Sequence, residues 1–127
     1  MKTKALRLLT LPLLFGMCAC SDMESGTYFM CITENTKTSI SKSYEKFTGY
    51  SKYKREFKVD VTLSIVTTTT SGNLLLEVSE ENSPSICKEN LTEDATYTFV
   101  LPKGKYIFYV EGNEHSGSYK FSWADKN

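Results

Sequence analysis

His115 is the only histidine in this 127-residue chain, and that scarcity closes most routes to acid–base or metal chemistry. A zinc site needs several nitrogen or sulfur ligands at characteristic spacings. His115 stands far in sequence from every cysteine, and the chain has no CxxC pair. It has no EF-hand pattern and no glycine-rich phosphate loop; the glycines punctuate the other patterns. Net charge is also missing. Fifteen basic and 15 acidic residues cancel, which leaves no basic footprint for nucleic acid. After Cys20 no apolar run approaches the length of a membrane-spanning helix, and no internal repeat is visible. No catalytic residue, cofactor or metal is therefore expected.

What the chain does have begins at its start. Lys2, Lys4 and Arg7 precede an apolar run over residues 8–17, and small residues then lead into Cys20, Ser21 and Asp22. A basic segment followed by about 7–15 apolar residues is an export signal, too short for a stable span. With a cysteine at the cleavage point, residues 1–22 resemble a bacterial lipoprotein signal, in which that cysteine receives lipid and becomes the mature N-terminus. That family prefers an aliphatic residue three before the cysteine and a small one directly before it. Cys20 has Met17 and Ala19 there, whereas Cys18 has Phe15 and Met17 and matches less well. The alternative is an ordinary cleaved signal with incidental cysteines.

The resemblance implies a cleaved signal over 1–19, a lipidated N-terminus and short tether over 20–25, and one domain over 26–127. It also implies an extracytoplasmic protein held to a bacterial membrane through lipid on Cys20. Cleavage before Cys20 would leave 12 basic and 15 acidic residues, so no polybasic stretch adds a second anchor. It would leave two body cysteines, Cys31 and Cys87. An exported chain meets oxidising conditions, and a bridge closing that loop would contribute about 4 kcal/mol in the chain-entropy model. Two buried free thiols are the other reading.

Period-two alternation dominates the body. Over residues 56–67 Phe57, Val59, Val61, Leu63 and Ile65 alternate with polar residues, as in a half-buried antiparallel strand. Further strands follow, with Leu74, Leu76 and Val78, then Tyr97, Phe99 and Leu101, then Tyr106, Phe108 and Val110, then Tyr119, Phe121 and Trp123 facing inward. Residues 27–33 read as one more strand. Pro102, Lys103 and Gly104 predict a tight hairpin flanked by Leu101 and Tyr106. Residues 112–117 read as a polar connection between the last two strands, and residues 71–73 as a turn. The polar segment 35–53 reads as a long surface loop with a short strand at 43–47, and the acidic segment 80–94 as a loop with one helical turn at 86–90. Together these predict an all-β chain, a small antiparallel β-sandwich of about 6–8 strands.

Residues 97–123 resemble the closing strands of small jelly-roll domains of the bacterial pre-peptidase C-terminal type. The correspondence rests on Gly104-Lys105-Tyr106 and Gly117-Ser118-Tyr119. It implies a jelly-roll-like sandwich that serves as an accessory or binding module, although residues 1–127 include no peptidase segment.

Reaction chemistry finds little footing. Ser116, His115 and Glu111 can be written as a nucleophile, base and orienter, but polar residues of these types are expected in a loop anyway. Glu80-Glu81 and Glu93-Asp94 are adjacent carboxylates, which point apart on an extended chain. The richer feature is the mixture of aromatics and cations around residues 50–58. The candidate binding surface is Tyr44, Tyr50, Lys52, Tyr53, Lys54 and Arg55, with His115 in a second loop. Its partner would be a glycan polymer or an envelope protein, and the alternative is a solvated sheet edge. The reading is a non-catalytic binding or assembly module at the cell surface. An anchored inhibitor or immunity-type protein is the alternative, and a small hydrolase is a third class.

Overall fold

The computed structural model describes residues 22–126, so Cys20 and the signal-like segment lie outside the described residues. Seven antiparallel strands account for nearly all of it: β1 (Met23–Phe29), β2 (Ile32–Thr36), β3 (Ser39–Phe57), β4 (Val61–Glu80), β5 (Ser85–Leu91), β6 (Ala95–Leu101) and β7 (Gly104–Asp125). β3, β4 and β7 have 19, 20 and 22 residues, several times an ordinary strand. Each contributes to two layers.

The proof of folding-over lies within β7. Phe108 and Phe121 stack at 5.0 Å between ring centroids, yet 13 residues of straight strand would separate them by about 43 Å. Register breaks mark the bend. They fall between Tyr44 and Gly49 in β3 and between Thr69 and Asn73 in β4. The first sheet is then β2, the start of β3, the end of β7, the start of β4, and β6. The second is β1, the end of β3, the start of β7, the end of β4, and β5. Apart from the N-terminal β1 and β2, this leaves four strands per sheet connected as a jelly roll.

Glycine permits the bend at two places. Gly72 has φ of 72°, and a Cβ there would lie 2.0 Å from the Glu114 carbonyl oxygen. A Cβ on Gly112 would lie 2.5 Å from the Phe47 ring, so the two strands close only because that side chain is missing. Between the layers, Ile40, Phe47, Leu63, Ile65, Leu74, Leu76, Phe108, Val110, Tyr119 and Phe121 are fully buried.

The inward residues read from β4, β6 and β7 are where the alternation places them, with Tyr97, Phe99 and Trp123 half-buried at the margins. Several other expectations are corrected. The segment 35–53 is mostly β3 and not a surface loop. Its inner face holds Lys42, Tyr44, Ser51 and Tyr53 beside Ile40, Phe47 and Phe57, and this polar share disguised it. The strand read over 56–67 is two strands, because the chain turns at 58–60 and leaves Val59 half-exposed. Strand 27–33 is likewise broken between β1 and β2, at Met30 with φ of 56°. Residues 23–25, expected as tether, pair with residues 50–52. Residues 86–90 are strand β5 and not a helical turn.

Leu101 and Tyr106 do not flank a hairpin. β6 pairs with β4 in the first sheet while β7 begins in the second, so the Pro102–Lys103 link crosses between layers. Asp60 fastens this end by accepting from the Lys103 amide at 3.0 Å. Residues 71–73 and 112–117 are bends inside β4 and β7 and not connections between strands. Cys31 and Cys87 are free thiols, the first exposed and the second buried. They sit by opposite edges of the sheet order β1-β3-β7-β4-β5, too far apart for a bridge, whose Cα atoms must approach within about 7 Å.

Candidate functional site

The outer face of the second sheet carries the most distinctive exposed chemistry. Alternation forces Tyr50, Lys52 and Lys54 of β3 outward, because Ser51 and Tyr53 between them are buried. The same rule turns Ile107, Tyr109 and Glu111 outward on β7, and Leu75 and Glu77 outward on β4. The register aligns these residues in cross-strand rows. One row runs Tyr50, Glu111, Leu75, Asn90, and the next runs Lys52, Tyr109, Glu77, Lys88.

Tyr50 and Tyr109 meet diagonally across the two rows. Their rings stack with centroids 5.8 Å apart and planes 23° from parallel. The Tyr109 hydroxyl donates to Glu111 Oε1 at 2.6 Å, which fixes both side chains on the face. Partial burial, then the hydrogen bond to Glu111 and the charge of that carboxylate, push the Tyr109 phenol up to about 12, so it remains a donor at neutral pH.

Beside the tyrosines, where β3 and β7 bend, lies a shallow groove of about 610 Å³. Thr48, Asn73, Asn90, Asn113 and Glu111 supply its polar lining and Leu75 its apolar one. The register pair Gly49–Gly112 leaves bare backbone there. Asn73 Nδ2 donates to Asn90 Oδ1 at 2.8 Å. Amides offer donor and acceptor side by side, and a flat aromatic surface next to them suits a ligand with alternating C–H and hydroxyl faces.

Of the surface read from the sequence, only Tyr50, Lys52 and Lys54 belong to this face. Tyr44 and Tyr53 are interior, at 7% and 1% exposure. The Tyr53 hydroxyl lies 2.7 Å from that of Tyr119, and burial pushes its ionisation up to about 12. Arg55 also turns away from the face, and its Nη1 donates to Asp22 Oδ1 at 2.7 Å. His115 is fully buried at the bend, with Nδ1 2.7 Å from the Tyr44 hydroxyl and Nε2 2.8 Å from Thr69 Oγ1. Burial holds its pKa below the ordinary imidazole value, partly opposed by a backbone contact with Thr68.

The serine–histidine–carboxylate arrangement is not assembled. Ser116 Oγ accepts from Ser71, and Glu111 accepts from Tyr109, so neither is a hydrogen-bond partner of His115. Tyr109 and the three asparagines of the groove are absent from the sites read from the sequence, where Glu111 stands only as an orienter for His115. A signal for Tyr109 and Leu75 existed, since each is a large apolar residue on the polar phase of an alternating strand. The asparagines had none, because they come from β4, β5 and β7 and meet only through pairing.

No protein-family model matches the chain and no curated protein matches it. Among solved structures it is similar to TmCBM61 in complex with β-1,4-galactotriose (11% identity, 85% of this chain and 89% of that one, TM-score 0.49). It is also similar to a family 35 carbohydrate-binding module from Clostridium thermocellum (11% identity, 84% and 99%, TM-score 0.43). A third is the module CBM6cm-2 from Cellvibrio mixtus lichenase 5A in complex with cellotriose (11% identity, 83% and 91%, TM-score 0.41).

Proposed function

We propose that this protein is a non-catalytic glycan-binding module, held outside the cytoplasmic membrane of a bacterium by lipid on Cys20. The observation that carries the reading is the stacked Tyr50–Tyr109 pair beside a groove lined by three asparagines and Glu111. A pyranose ring presents an apolar C–H face and an equatorial fringe of hydroxyls. The tyrosine rings meet the first, and the amides and carboxylate meet the second. The face mixes Lys52 and Lys88 with Glu77 and Glu111 in adjacent positions, and Lys54 pairs with Glu81 at 3.6 Å. Such balance suits a neutral chain better than a polyanion.

An open groove of this kind supports modest affinity. A Kd of about 1 mM to 1 μM corresponds to roughly −4 to −8 kcal/mol. Titration calorimetry against soluble neutral oligosaccharides and wall polysaccharides tests the reading. Tyr50→Ala and Tyr109→Ala should each weaken binding by at least about tenfold, equivalent to about 1.4 kcal/mol, with the circular dichroism spectrum unchanged. Binding indifferent to both substitutions would remove this face from consideration. Capture of one protein in a stoichiometric complex through the same face would replace the glycan by a protein target.

A further inference from the structure

We infer that the N-terminal edge formed by β1 and β2 docks on the lipid bilayer, with Phe29, Met30 and Ile32 seated at the headgroup–acyl boundary. The inference rests on the lipid anchor at Cys20 and adds an orientation to it. Large exposed hydrophobic side chains elsewhere in the described residues are scattered on separate elements: Val59, Val66, Ile86 and Val100. Along the N-terminal edge they concentrate. Met23 is 50% exposed, Phe29 60%, and Met30 and Ile32 65% each.

Position explains what would cover them. Both strands pair only with β3, so their outer backbone edge is unpaired among the described residues. Exposed edges are ordinarily blunted by charge or proline, yet the Phe29–Ile32 crossing carries neither. Cys20 precedes Met23 by three residues, a reach of at most about 10 Å. β1 is seven residues long, about 23 Å of strand. A domain tethered so closely has this edge as its nearest surface to the membrane, and the apolar crossing lies at the far end of β1, at most about 30 Å along the chain from the anchor. Lys46, the register partner of Phe29, lies beside the crossing and pairs with Glu114 at 3.7 Å, so the apolar side chains and not a free charge carry the docking. In this pose the opposite edge, with β5 and the Asn90 end of the groove, points away from the bilayer.

Cys31 sits at the crossing as an exposed free thiol and reports on its surroundings. The full lipoprotein, purified with its lipid and labelled at Cys31 with bimane, would be reconstituted into vesicles of phosphatidylethanolamine and phosphatidylglycerol. Docking predicts a blue-shifted emission that doxyl-labelled lipids quench. A Phe29→Ser/Ile32→Ser variant should lose most of the quenching while still floating with the vesicles. Flotation without quenching in the unsubstituted protein would overturn the docking and leave the anchor standing. Failure to float would overturn the anchor, and the docking with it. Shielding of the label without lipid quenching, together with a Cys31–Cys31 cross-linked dimer, would assign the edge to a second copy and also overturn it.

Discussion

At the scale of single residues, Lys42, Ser51, Thr67 and His115 are buried polar side chains within the core, and each has its own consequence. His115 is buried between Tyr44 and Thr69 and held neutral by that burial. Its folded pKa lies below the value of about 6.5 of an exposed imidazole. The unfolded chain therefore binds more protons between the two values, and stability rises with pH there. The contribution is complete above about pH 6.5 and is lost as pH falls through the folded pKa. Calorimetry should show the melting temperature falling from pH 7.5 to pH 5, as this group removes stability by at most about 1.4 kcal/mol per pH unit. The same slope in His115→Gln would assign the effect elsewhere. Thr67 is 1% exposed and its Oγ1 has no hydrogen-bond partner. Thr67→Val keeps the shape and removes an unsatisfied group, so urea unfolding should report stabilisation of about 1 kcal/mol. A loss of 1 kcal/mol would mean that the hydroxyl is satisfied in solution.

At the scale of strands, facing is the property that alternation controls. Phe121 is fully buried, while Lys120 is exposed one residue away. Phe121→Asp should cost several kcal/mol, enough to unfold a domain of ordinary stability, and Lys120→Asp should stay within about 0.5 kcal/mol. Comparable denaturation midpoints for the two would contradict the register of β7. The same local rule made the inner faces of β4, β6 and β7 legible from sequence. It failed for β3, whose inner face is satisfied by partners far along the chain. Lys42 there pairs with Glu24, and Ser51 donates to the same carboxylate at 3.1 Å. Ser51 Oγ also lies 2.6 Å from the Tyr28 hydroxyl, which in turn is 3.1 Å from that of Tyr119. A strand whose interior is held by hydrogen bonds looks like a loop until β1 and β7 are set beside it.

At the scale of the whole molecule, folding three long strands over themselves decides which residues share a face and which cysteines are neighbours. Cys31 and Cys87 are held apart as free thiols. In native mature protein a thiol reagent should titrate one fast equivalent, Cys31. Cys87, whose thiol is pushed up by burial, should react on unfolding, and reducing agent should leave the melting temperature unchanged. A drop on reduction would reveal a bridge. The same folding-over gathers Asn73, Asn90 and Asn113 from three strands beside Tyr50 and Tyr109, while it draws Tyr44, Tyr53 and His115 inside.

From its sequence alone this chain is a β-protein whose strands have defined inner faces, because side chains on an extended backbone alternate every residue and that rule is local. Tertiary structure decided where strands bend, which edges remain unpaired and which exposed residues meet. Those depend on pairings between segments as distant as Ser39 and Ser122, and a polar residue reads the same in the sequence whether water or a buried tyrosine completes its hydrogen bonds.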